Sequence, residues 1–240
     1  MSERPPPPGW GDDSLTEFLN LAQSNRWATF ANKKPIVSKL IGIDACFMRA
    51  EGHLSRVDEL TASMLLIRSH ASYRAACAHA MAGEVVEAFG DIRTCLESAA
   101  YAARIGRNLG VAEIWLRRHD SPEADAIMRK TFAAKQLKAA ISKSNRKAAE
   151  VFEALYQRSI DSGAHPNERA ISSSLKIQEG KKTIEFQQLQ LHADGIQLDH
   201  ALKSTAQCGV CALEICQGIF NARFELLGIN SSLLDLRKNL

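Results

Sequence analysis

MLLIRSHASYRAACAHAMAGEVVEAFGDIRTCLESAAYAARIG, residues 64–106, decides the fold. Apolar positions recur every three or four residues on both sides of Gly83, alanine is the commonest residue, and no proline interrupts either half. The spacing predicts two long helices, Asp58 to Ala82 and Glu84 to Gly106, folded back on each other with Gly83 as the hinge. Met64, Leu65, Ile67, Ala71, Ala75 and Ala78 are expected to form the inward stripe of the first.

The helical period continues outward from this pair. Ser14-Leu-Thr-Glu17 reads as a capping box ahead of Leu15, Phe18, Leu19 and Ala22, and Pro35 opens a second helix carrying Ile36, Val37, Leu40, Ile41 and Ile43. Downstream, a short helix spans about Val111 to Arg118, and Ser121-Pro-Glu123 caps the next. Ser144 is read as the cap of a helix with Ala148, Val151, Phe152, Leu155 and Tyr156 inward, ending near Ser162-Gly163 ahead of Pro166. Leu175-Lys-Ile177 and Ile184-Glu-Phe186 alternate around Glu179-Gly-Lys-Lys, a pattern that fits a small β-hairpin near 175–187 or a polar loop. The longest helix follows from about 195 to 227, with a short one after Asn230. The expected fold is therefore all-α: an up-and-down bundle of about eight helices with one β-hairpin insertion, a single domain over residues 14–240. Residues 1–13 read as a mobile Pro-rich tail, because the run Pro5 to Pro8 can form only an extended rod.

Composition removes several function classes. With 45% hydrophobic residues the chain buries a sizeable core, which excludes disorder, and an aromatic fraction of 6% argues against nucleic-acid binding on a stacking sheet. No apolar run reaches the roughly 18 residues of a membrane span, and the N-terminus lacks a signal-like apolar stretch, so a cytoplasmic protein is expected. The six cysteines sit within helical patterns and read as reduced core thiols. Net charge is only +3, yet residues 129–158 carry eight basic side chains against two acidic ones. Such a stripe either holds phosphates, with Lys143, Arg146 and Lys147 nearest the end of interest, or keeps a helix face soluble.

Most standard sites are missing: there is no His-Glu-x-x-His, no Glu-x-x-His pair, no Gly-rich phosphate loop and no Gly-x-Ser-x-Gly elbow. Cys208-Gly-Val-Cys211 has the spacing of half a zinc site but lacks a second pair, so no metal and no cofactor is expected. His70 and His79 stand nine apart on nearly opposite helix faces and read as surface or interface groups. Arg117-Arg-His119-Asp120 reads as a charged helix end.

Two constellations remain. Arg93 and Glu97 lie four apart beside an apolar face, the arrangement of a partly buried ion pair. Arg158, Asp161 and His165 stand at i, i+3 and i+7 near a helix end. A histidine there has its charged form favoured by the helix dipole and by a neighbouring aspartate, and an arginine one turn away suits a phosphate. These are the minimum parts for metal-free attack of a ribose 2′-hydroxyl on its adjacent phosphate. The alternative is structural, with Arg158 paired to Glu97 or Asp161 and His165 bonded to carbonyls at its own helix end.

Arg158, six intervening residues and His165 resemble the Arg-x(4–6)-His motif of the HEPN superfamily, all-α bundles that include metal-independent endoribonucleases. The Arg93-x-x-x-Glu97 helix, Tyr156 before Arg158 and the His165-Pro166 step are similar to HEPN-like bacterial proteins, over roughly residues 60–168. The resemblance implies His165 as general acid/base, Arg158 as phosphate and transition-state binder, Asp161 orienting the imidazole, and Arg93, Glu97 and Tyr156 supporting them. It also implies a homodimer acting on RNA or a nucleotide. The competing reading is a non-catalytic helical scaffold that binds another protein.

Overall fold

A computed structural model describes residues 6–52, 54, 59–106, 108–164, 168, 171–172, 175–179 and 183–240. Its α-helices are α1 (Ser14–Asn32), α2 (Lys34–Glu51), α3 (Leu60–Ala82), α4 (Val85–Ile105), α5 (Leu109–Leu116), α6 (Pro122–Thr131), α7 (Ala134–Ser142), α8 (Arg146–Ser159), α9 (Ile196–Leu226) and α10 (Ile229–Leu236). Ten helices stand among the described residues where about eight were expected. The difference lies partly in residues 134–142, which form a helix of their own because Leu137 and Ile141 reach the core. Strands β1 (Leu175–Glu179) and β2 (Ile184–Gln188) pair antiparallel with Ile177 opposite Phe186. No helix is long and apolar enough to cross a membrane among the described residues.

The caps show local chemistry shifting helix starts by one residue. Asp13, not Ser14, caps α1, its carboxylate accepting the amides of Leu15 and Thr16 at 2.9 and 3.0 Å. Asn145, not Ser144, caps α8 by accepting the Ala148 amide at 3.0 Å, while the Ser144 hydroxyl donates to the Ile141 carbonyl. Ser121 caps α6 as read. Trp10 and Gly11 are tied to α1, the indole donating to Asn20 at 2.6 Å and the Gly11 amide to Thr16 at 2.9 Å; residues 1–5 lie outside the described residues.

The quoted stretch forms the centre of the fold. Ser69 donates to the Cys95 carbonyl and His79 meets Asp91, so α3 and α4 run antiparallel about Gly83. Gly83 has φ +85°, and its carbonyl accepts the His192 amide at 2.8 Å, which pins the lead-in to α9 on this turn. The buried stripe of α3 differs from the expected one. It includes Ala62, Leu65, Leu66, Ser69, His70, Tyr73, Ala76 and Ala80, whereas Met64 and Ile67 are exposed. Alanine is equally apolar all round the helix, so periodicity alone could not fix its rotation. α9 then threads the bundle, burying residues from Leu198 to Phe224 against α2, α3, α4, α8 and α10.

His70 is not a surface group. It is 2% exposed, its two ring nitrogens stand 2.8 Å from Glu51 and 2.7 Å from Asp44, and its ring stacks on Phe47. Arg74 donates to both oxygens of Asp44 at 2.6 and 3.0 Å, and the guanidinium holds that carboxyl below its usual range. The cluster ties α2 to α3.

Candidate anion-binding cleft

α8 presents two different faces to the bundle. Tyr156 and Arg158 are two residues apart, about 200° around the helix, so they address different neighbours. Tyr156 faces α4 and Arg158 faces α9.

On the α4 side, Arg93 Nε donates to Glu97 Oε1 at 2.9 Å, and the Tyr156 hydroxyl donates to the same oxygen at 2.9 Å. Arg93 also donates to Tyr156 Oη at 3.3 Å and lies over its ring. Burial, then the Glu97 charge, raises the Tyr156 phenol. The three residues expected to support a catalytic group do meet. They satisfy one another as a brace between α4 and α8, turned away from Arg158.

On the α9 side, Arg158 Nη1 donates to Gln207 Oε1 at 2.7 Å and to Ser204 Oγ at 3.3 Å. Both acceptors are neutral. Neither Glu97 nor Asp161 forms an ion pair with Arg158 among the described residues, and Asp161 accepts instead from Gln157 Nε2 at 2.9 Å. α8 ends in a π-helical turn, Ile160–Ala164. His165 lies outside the described residues.

Arg158 lines a cleft of about 420 Å³ between α8 and α9. Val151, Ala154, Leu155, Val210 and Cys211 give it an apolar floor, and Lys147, Glu214 and Arg237 close the far end. Arg237 donates to Glu214 at 3.1 Å. Burial raises the Glu214 carboxyl, a shift that Arg237 and Lys147 oppose.

Three of the eight basic side chains of the stripe are paired with nearby acids. Lys138 meets Glu153 at 2.5 Å, Arg146 meets Glu150 at 3.2 Å and Arg129 meets Asp125 at 2.7 Å. Arg146 therefore spends its charge outside the cleft and Lys143 stands at the end of α7, while Lys147 enters the cleft. Cys208 and Cys211 point to different helices, toward the carbonyls of Ile92 and Ala148, and among the described residues no group is arranged to hold a metal.

The sequence reading missed the α9 contribution. Ser204, Gln207, Cys211 and Glu214 recur at i, i+3, i+7 and i+10, a half-polar stripe inside a segment read as apolar. His200 extends it by one turn, its ring 5.5 Å from that of Phe89. Burial and then the Arg158 charge push the His200 imidazole below its ordinary value. Replacing Arg158 by Ala is accordingly expected to raise the His200 pKa, read by an NMR titration of the ring protons. An unchanged value would show that the guanidinium does not stand beside this imidazole.

No family model matches the chain, and no curated protein or solved structure matches it.

Proposed function

We propose that the protein is a HEPN-like RNA-binding protein that seats a phosphate on Arg158 in the α8–α9 cleft, with strand cleavage at that phosphate by the motif that Arg158 and His165 share. One observation carries the reading. Among the described residues a half-buried arginine is held only by neutral side chains at the edge of an open, apolar-floored cleft, so its charge is oriented yet still available to an anion. A guanidinium committed to a carboxylate would have lost that capacity.

In the cleavage step the 2′-oxygen bonds to the adjacent phosphorus and the bond from phosphorus to the 5′-oxygen breaks. The 2′-hydroxyl proton is taken up by a base and the leaving oxygen is protonated, with Arg158 neutralising the phosphorane. In this reading His165 carries the proton.

The test incubates purified protein with a mixed RNA pool in excess EDTA and reads retention and cleavage together, beside Arg158→Ala and His165→Ala variants of equal stability. The expected result is retention weakened in Arg158→Ala and cleavage lost in both variants. Retention without cleavage identifies a binding relative of the nucleases. Neither retention nor cleavage removes the reading in favour of the protein-binding scaffold.

A further inference from the structure

The cleft has two cationic poles. Ala148 meets Cys211 and Arg158 meets Gln207, so α8 and α9 run antiparallel and the cleft follows their shared seam. Lys147 and Arg158 stand eleven residues apart on α8, three helical turns, which separates them by roughly 16 Å along the axis. Arg158 forms one pole with Gln207 and Ser204. At the other, Arg237 is paired with Glu214 beside Leu240, and Lys147, which forms no ion pair among the described residues, is the cation of that end. Val151, Leu155 and Val210 lie between the poles.

A single phosphate cannot reach both poles, and a mononucleotide seated on Arg158 leaves Lys147 unused. Resting on the RNA-binding reading above, we infer that the cleft takes an extended single strand of about three nucleotides, one phosphate at each pole and an intervening base on the apolar floor. Glu214 sets the limit at the Lys147 end. Its carboxylate repels a second phosphate beside the first, so the strand passes this pole once.

The test compares uridine monophosphate with a 5′-phosphorylated uridine trinucleotide by calorimetry, at two salt concentrations, on the wild type and on Lys147→Met, Arg158→Met and Arg146→Met. The trinucleotide is expected to bind about tenfold tighter than the monophosphate, and Lys147→Met to lose that gain with a salt slope smaller by about 0.7. Arg158→Met weakens both ligands. Arg146→Met, whose guanidinium pairs with Glu150 outside the cleft, keeps the gain. Equal affinities for the two ligands, both dependent on Arg158, would overturn the two-pole cleft while leaving the phosphate site intact. A length gain that survives Lys147→Met would overturn it too. Binding of neither ligand would defeat both.

Discussion

Gly209→Val is expected to leave the protein barely folded. A Cβ on Gly209 would stand 2.5 Å from Tyr73 Cε2 and 2.6 Å from Ile43 Cγ2, closer than carbon atoms approach. Neither neighbour has room to yield. Ile43 and Tyr73 are fully buried, and the Tyr73 hydroxyl is tied to the Leu40 carbonyl at 2.9 Å with its ring against Phe47. In an open helix position, alanine for glycine gains up to about 1 kcal/mol. Here overpacking reverses the sign, so Gly209→Ala is expected to cost about 1–3 kcal/mol, and the branched valine more, against a total stability of about 5–15 kcal/mol. Gly90 on α4 supplies the control, because a Cβ there meets nothing within 4 Å. Gly90→Ala should match or exceed wild-type stability. Denaturant midpoints at unchanged slope measure all three. A Gly209→Ala protein as stable as Gly90→Ala would show that α9 does not cross α2 and α3 at this closeness.

The second large effect is expected at His70. Replacing it with Leu keeps an apolar side chain against Phe47 but removes the ring that meets Asp44 and Glu51. Asp44 retains Arg74, whereas Glu51 loses its imidazole in a site where its side chain is only 21% exposed. Leaving a partly buried hydrogen-bonding group without its partner costs about 1–3 kcal/mol. A double-mutant cycle with Glu51→Gln isolates the contact. His70→Leu in the Glu51→Gln background should cost clearly less than in the wild type. Equal costs in the two backgrounds would mean that the ring contributes packing alone.

These two sites also mark what a sequence can reveal. Helix existence was legible because the apolar period is strong and prolines are few, and the α3–α4 hairpin follows from one glycine placed between two alanine-rich stretches. The rotation of α3 was not legible, since alanine labels no face, and with it went the burial of His70. Its partners Asp44 and Glu51 lie on α2, 26 and 19 residues away, and no local spacing links them. Gly209 looked like one small residue among many until Tyr73 was placed against it.

The candidate site divides the same way. Arg93 and Glu97 were read as a partly buried i, i+4 ion pair and the structure shows that pair, whereas Tyr156, named only through the family resemblance, joins it from α8 by a contact no local spacing gives. For Arg158 the partners were sought in its own helix and in α4. They come from α9, whose polar stripe was visible at helical spacing and was outweighed by the apolar residues around it. In the basic segment 129–158 the two acids already counted, Glu150 and Glu153, pair with Arg146 and Lys138, and only Asp125, which pairs with Arg129, comes from outside it.

In the proposed function Arg158 presents its charge to a phosphate inside the α8–α9 cleft. The most direct measurement follows the Arg158 Nε–H resonance by NMR while a short 5′-phosphorylated RNA is added, with the unphosphorylated nucleoside as the reference. A saturable shift of Arg158, accompanied by the side-chain amide of Gln207 and absent with the nucleoside, is the predicted result. RNA that binds while both resonances stay fixed, or RNA that does not bind, would contradict it.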